Sequence, residues 1–308
     1  MRFFFHPGYV APLPSGHRFP MSKYEATRDA LAAAGARFEA PEEAPRALVV
    51  GAHAETYVDQ VLSARVPPAI ERRIGFAVTP AVARRSRLSV AGTLAAAEAA
   101  LDSGFAANVA GGSHHAMPDH GAGYCVLNDL AVAARALLAS GRVRRLLILD
   151  LDVHQGDGTA VCLADEPRAF TVSIHAEKNF PARKARSDHD IALPDGTGDE
   201  AYLDLLADAL PGLIEAARPD LMLVQAGVDV HADDRLGRLA LSDAGIVARS
   251  RLVADAARTW GLPVAATLGG GYDADVARLG RRHAAALLAL GGHILDETGC
   301  EGLANGPR

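Results

Sequence analysis

Asp150, Asp152 and His154 stand at alternate positions in the segment LLILDLDVHQGDG. Side chains alternate faces along a β-strand, so these three share one face while Leu151 and Val153 take the other. In a strand covered on both sides, unpaired carboxylates cost several kcal/mol each or shift until neutral, so the pattern calls for a positive partner. A bound cation supplies it. Any one of the three alone could equally be satisfied by backbone N–H groups at a strand end. A second apolar run, LMLVQAGVDVHADD, releases Asp229 a few residues beyond its end. Open α/β sheets bind ligands outside their carboxyl edge, so Asp152, His154 and Asp229 make an Asp-His-Asp set with one open position, the pattern of catalytic zinc. Asp233 and Asp234 follow in a polar turn expected to be solvated, and His231 is expected to be a loop residue.

Two further groups surround this set. His114 and His115 follow Gly111 and Gly112 in an irregular stretch, where relaxed backbone lets adjacent side chains face one cavity. With Asp150 and Asp157 they could form two His-carboxylate dyads that fix tautomer and basicity. Gly269-Gly270-Gly271-Tyr272 permits a sharp turn that aims a phenol at the pocket, although a tyrosine packed at a sheet edge would look the same.

Positioning these groups requires strands with a common carboxyl edge. Short runs rich in Val, Ile and Leu recur at 46–50, 145–153, 169–174, 221–227 and 263–269, and read as parallel strands buried on both faces. Helical stretches separate them. Ser22 to Glu25 reads as a capping box opening a helix that closes near Gly35. Asn128 reads as the cap of a helix to Gly141, Asp199 of one toward Arg218 kinked at Pro211, and Ser242 of one to Gly261. The alternation gives an α/β protein, a three-layer α/β/α arrangement with a mostly parallel open sheet. Residues 111–125 and 176–199 break the rhythm and read as long functional loops.

At 308 residues and 49% hydrophobic content, one domain spanning 1–308 can bury a substantial core, with about 294–308 as a loose tail. The net charge of −6 comes without long single-sign runs, which argues against nucleic acid or an anionic membrane as direct partner. No stretch is long enough for a membrane span or signal core, so a cytoplasmic protein is expected. Cys125, Cys162 and Cys300 lack CxxC spacing and read as reduced thiols.

The segments GGSHHAMPDHGAGYCVLND, DLDVHQGDGT, QAGVDVHADDRLGRLALS and LGGGY resemble, in order and spacing, those of the histone deacetylase family, across nearly the whole chain. GHRFPMSKY and SIHAEKNFP look most like the class IV branch and its bacterial relatives. The resemblance implies an arginase-deacetylase type fold, with Asp152, His154 and Asp229 as zinc ligands. It implies His115 as the main general base and acid, His114 as its electrostatic tuner with Asp150 behind it, and Asp157 orienting His115. Tyr272 would donate its O–H to the scissile carbonyl. Gly123, Tyr124, Phe180, Leu236 and Gly270 would bind substrate, Tyr124 standing where many relatives carry Phe. It further implies a potassium ion near Asp150 and Ser173. Ferrous iron is an alternative to zinc in such a mixed nitrogen–oxygen site.

Removal of acetyl or longer acyl groups from lysine in proteins or peptides is the expected activity, with acetylpolyamines or other small N-acyl amines as the alternative substrates. A two-manganese arginase-like hydrolase would need more bridging Asp and His residues than one DLDVH and one GVD supply. A catalytically inactive acyl-lysine binding module would not need both histidines, three ligands and Tyr272.

Overall fold

Short apolar segments form the strands Arg2–Phe4 (β1), Phe38–Glu39 (β2), Phe105–Asn108 (β3), Leu146–Asp150 (β4), Ala169–Ala176 (β5), His189–Leu193 (β6), Leu221–Gln225 (β7) and Val264–Thr267 (β8) in the computed structural model, which describes residues 1–292. The expected tail at 294–308 and Cys300 lie outside the described residues; Cys125 and Cys162 are unbonded. The strands form one sheet in the order β2-β1-β3-β8-β7-β4-β5-β6, and every pairing is parallel. The central strands β3, β4, β7 and β8 are buried at every position, as parallel strands sandwiched between helices must be.

The helices are Lys23–Ala33 (α1), Arg46–Val49 (α2), Glu55–Leu62 (α3), Pro68–Ile74 (α4), Pro80–Ser103 (α5), Asp129–Ala139 (α6), Asp157–Leu163 (α7), Asp199–Ala217 (α8), Asp243–Thr259 (α9) and Val276–Leu290 (α10). Contacts run α1 to α10 to α9 to α8 in one layer, and α5 to α6 to α7 in the other, with the sheet between. Among the described residues no helix is long and apolar enough to cross a membrane.

Several elements differ from the sequence expectation. Residues 46–49 are a helix rather than a strand: Pro45 caps a single turn, and a five-residue apolar run carries no period that separates the two. The outer sheet positions on that side are instead filled by β1 and β2. Alanine-rich β3 lacks the β-branched residues that announce a strand, yet it is fully buried. The stretch 176–199 contains β6, an edge strand with mostly exposed side chains. At α1 the Ser22 side chain makes no capping bond, because Ser22 already has helical backbone angles. Asn128 and Ser242 do cap α6 and α9, accepting from Ala131 N and Gly245 N. Gly198 holds the cap position of α8; Asp199 instead accepts the Ser242 N–H and hydroxyl, and the helix runs through Pro211.

His53 ties the short helices to the sheet edge. Its Nδ1 lies 2.9 Å from the Met117 carbonyl, and its Nε2 accepts the Asn128 N–H at 2.9 Å, so the ring is the neutral Nδ1–H tautomer. Burial lowers its pKa to about 4. The unfolded chain therefore binds a proton below about pH 6.5 that the folded chain refuses until about 4. This contribution to stability is complete above pH 6.5 and is lost as pH falls through that window. Denaturant unfolding at stepped pH should show stability falling by roughly 2–3 kcal/mol more in the parent than in His53→Asn between pH 6.5 and 4. Parallel profiles would rule the ring out as the cause.

Candidate metal centre and active site

β4 and β7 are neighbours, with Asp150 opposite Gln225 at their carboxyl ends. β4 stops at Asp150, so strand alternation does not reach Asp152 and His154. They converge because the following loop folds over the sheet edge, held by Leu151 N to Gln225 O and Ala176 N to Val153 O. His154 Nδ1 lies 3.0 Å from Asp152 Oδ1 and 3.1 Å from Asp229 Oδ2. Asp152, His154 and Asp229 are all buried, with donor atoms within 4.8 Å of one another, a group able to hold a metal ion.

The rest of each carboxylate is already occupied. Asp152 Oδ2 accepts from Gln225 Nε2 at 2.6 Å and from Gly270 N at 2.7 Å, and Asp229 Oδ1 accepts from Val153 N at 2.9 Å. A side chain at Gly270 would place a Cβ 1.9 Å from Asp229 Oδ2. Gly270, expected to touch substrate, thus lies directly against the two carboxylates while also lining the cavity. Burial, then the charge of Asp152, pushes the Asp229 carboxyl up, whereas Asp152 is held down against its own burial by His114 and His154. Burial opposes a charge on His154, yet the two carboxylates hold its pKa up at about 10. Two buried carboxylates and an imidazole that compensate one another through a single proton are a donor set matched to a divalent cation.

The histidine pair follows β3. His114 Nδ1 lies 2.7 Å from Asp150 Oδ2 and His115 Nδ1 lies 2.6 Å from Asp157 Oδ1, so both expected dyads form. The rings are 4.0 Å apart between centroids. Burial works against the charged form of both. At His114 it is outweighed by Asp150 and Asp152, and the pKa rises to about 9; at His115 it is reinforced by the charge of His114, and the pKa falls to about 4.

Tyr272 is buried beside them, its ring centroid 6.4 Å from that of His154 and 5.9 Å from that of Tyr124. Phe180 lies opposite, 4.8 Å from His115 and 6.4 Å from His154. Gly123, at φ +51, packs so closely that a Cβ would meet His115 Cδ2 at 2.6 Å and Phe180 at 3.0 Å. Tyr124 also stacks on Phe76, and Leu236 borders a cavity with Tyr272. Ser173 pairs with Asp150 across β4 and β5, its hydroxyl 3.0 Å from His175 Nδ1. His231 lies apart from this group, beside Arg282 and Asp243.

Several positioning residues were given no role from the sequence, although Asp129, Asp234 and Arg235 lie within the quoted motifs. Asp129, buried next to the helix cap, accepts the N–H groups of Gly112 and Ser113 and the hydroxyl of Thr93, pinning the loop that carries both histidines. Arg249 reaches from α9 to donate to the carbonyls of Leu151 and Gly227, 2.9 Å each, and so joins the loops that carry Asp152 and Asp229. Asp234, expected to be solvated, is instead half-buried and accepts the Tyr272 N–H at 2.7 Å; Arg235 Nε donates to the Tyr272 carbonyl at 2.6 Å. An acidic residue after a Gly-Val-Asp turn reads as surface because its partner lies 38 residues away.

The chain matches the family model of the histone deacetylase domain over residues 17–288. It is 43% identical over 283 residues to an uncharacterised protein of Picosynechococcus sp., the match covering 91% of this chain and 94% of that one. It is 30% identical over 248 residues to histone deacetylase 2 of Arabidopsis thaliana, covering 78% of this chain and 64% of that one. The crystal structure of an acetylpolyamine aminohydrolase from Burkholderia pseudomallei superposes with a TM-score of 0.78 at 22% identity, covering 94% of this chain and 99% of that one, and shows the shared arginase-deacetylase fold. The chain belongs to the histone deacetylase family of hydrolases.

Proposed function

We propose that the protein is a zinc-dependent amidohydrolase that removes acyl groups from N-acyl amines, acyl-lysine side chains of proteins or peptides first among them. The observation that carries this reading is the buried Asp152-His154-Asp229 donor set adjoining two His-Asp dyads and a buried phenol. Those three residues would hold the ion, which when bound supplies Lewis acidity, polarising an amide carbonyl and lowering the pKa of water toward about 7.

The side chains around it divide the proton work. Asp157 accepts the Nδ1–H of His115, leaving Nε2 with a lone pair; with its pKa depressed, His115 is neutral at physiological pH and takes a proton from the attacking water. His115 then returns that proton to the leaving amine nitrogen. His114, held protonated by Asp150 and Asp152, is the neighbouring charge that keeps His115 neutral. Burial, then Asp229 and Asp152, hold the Tyr272 phenol protonated, so it donates to the carbonyl oxygen as negative charge develops there. Phe180, Gly123, Tyr124 and Leu236 wall the passage for the acyl-bearing chain. Asp150 and Ser173 are the residues toward which a structural potassium ion would bind.

The name of the Burkholderia neighbour makes acetylpolyamines the second substrate class. A panel of acetyl-lysine peptides, longer acyl-lysine peptides and acetylpolyamines, compared by kcat/KM on zinc-loaded protein, tests the reading; binding without turnover would point to a recognition module. Tyr272→Phe should retain fold and zinc and lose about 100-fold to 1,000-fold in kcat/KM. Unimpaired turnover would remove Tyr272 from the chemistry. His154→Ala should lose zinc by elemental analysis, and full retention would strike His154 from the ligand set. Gly270→Ala should weaken zinc binding at least tenfold in a chelator competition, since its methyl group occupies the place of Asp229 Oδ2. An unchanged affinity would show that the carboxylates relax freely.

A further inference from the structure

Arg18 and Arg235 both line a cavity of about 330 Å³ bordered by Leu236 and Tyr272, at the outer end of the pocket. Both arginines are exposed, and among the described residues neither has a carboxylate within ion-pair distance. Arg235 is anchored through Nε to the Tyr272 carbonyl, which leaves its terminal nitrogens unengaged. Arg18 precedes Phe19, whose ring lies 6.2 Å from that of Tyr272 and 5.3 Å from that of Tyr124. The nearby acids are committed elsewhere: Asp233 lies 3.6 Å from Arg278, Asp195 pairs with Arg238, and Asp234 accepts the N–H groups of Leu236, Gly237 and Tyr272. Two guanidiniums without a carboxylate partner thus share one cavity.

We propose that Arg18 and Arg235 form a carboxylate-recognising subsite at the pocket mouth. Resting on the amide-hydrolysis reading, it names the substrate class: an acyl-lysine with a carboxylate close to the entering chain. That group is either the α-carboxylate of free Nε-acyl-lysine or the side chain of an Asp or Glu beside the acyl-lysine in a peptide. A planar guanidinium matches a carboxylate through paired N–H donors, and a second guanidinium adds charge without a competing acid. The same two cations oppose the ammonium groups of acetylpolyamines.

The test uses the zinc-loaded protein, Arg18→Gln and Arg18→Glu. Four probes are compared by kcat/KM and, independently, by calorimetric binding: Nε-acetyl-lysine against its carboxamide, and acetyl-lysine peptides flanked by Glu against the same peptides with Gln. The parent should prefer the carboxylate member of one pair by about threefold to tenfold, and which pair responds identifies the source of the carboxylate. Arg18→Gln should erase the preference, Arg18→Glu should reverse it, and salt near 1 M, where the screening length is about 3 Å, should flatten it. Equal values within both pairs, or a preference that survives both substitutions, would overturn the subsite. Carboxylate-dependent binding without turnover of any probe would keep the subsite and sink the hydrolase reading instead.

Discussion

Asp152 and Asp229 are both buried, and both reach the same imidazole nitrogen within 3.1 Å. At an effective dielectric constant near 20, two like charges about 4 Å apart repel by ~4 kcal/mol, and desolvation adds to that. The arrangement is tolerable only with a proton or a cation between them. Several contacts around the site hold this unfavourable pair in place. Adjacent β4 and β7 bring the two loops together, Arg249 grips a carbonyl in each, and Gln225 and Gly270 occupy the outer oxygen of Asp152.

The same electrostatics separates the two histidines. They are consecutive in one loop, both buried and both paired with an aspartate, yet one pKa rises and the other falls. Asp152, 3.8 Å from His114 Nε2, helps Asp150 raise that ring, whereas the charge of His114 joins burial in lowering His115. A divalent cation at the triad adds positive charge beside both rings and lowers both. Asp150, hydrogen-bonded to His114, continues to favour the charge on that ring. Environment, rather than residue type, favours the charged form of one ring and the neutral form of the other.

Much of this was legible in the sequence because it depends on short-range grammar. The parallel runs at β4, β7 and β8, the caps at Asn128 and Ser242, and the DLDVH and GGSHH segments each carry their signal within about a dozen residues. Alternation predicted the convergence of Asp152 and His154 for the wrong local reason, since a loop rather than a strand delivers them. What stayed hidden was decided across the fold. The 46–49 run is helical while other segments supply the outer strands, β3 is a fully buried strand without β-branched residues, and Asp129, Asp234, Arg235 and Arg249 each reach a residue at least 16 positions away.

Tyr272 shows how such distant contacts become necessary. It follows three glycines, of which Gly269 and Gly271 have φ of +76 and +152, so the turn that lets backbone approach the carboxylates is also one with a large entropy to lose. The phenol ring packs against Phe19, Tyr124 and His154. The fold also anchors the peptide at both polar atoms, Asp234 on the N–H and Arg235 on the carbonyl, while the buried Lys23 donates to Gly269 O at 2.8 Å with its ammonium 5.4 Å from the tyrosine ring centre. Burial lowers the pKa of Lys23 to about 8, a cost accepted for a grip on the turn. The placement of the phenol therefore depends on charged groups on either side of it, and one of them, Arg235, also lines the cavity that Tyr272 borders. A change of charge at Arg235 would act on the same residue that presents the phenol.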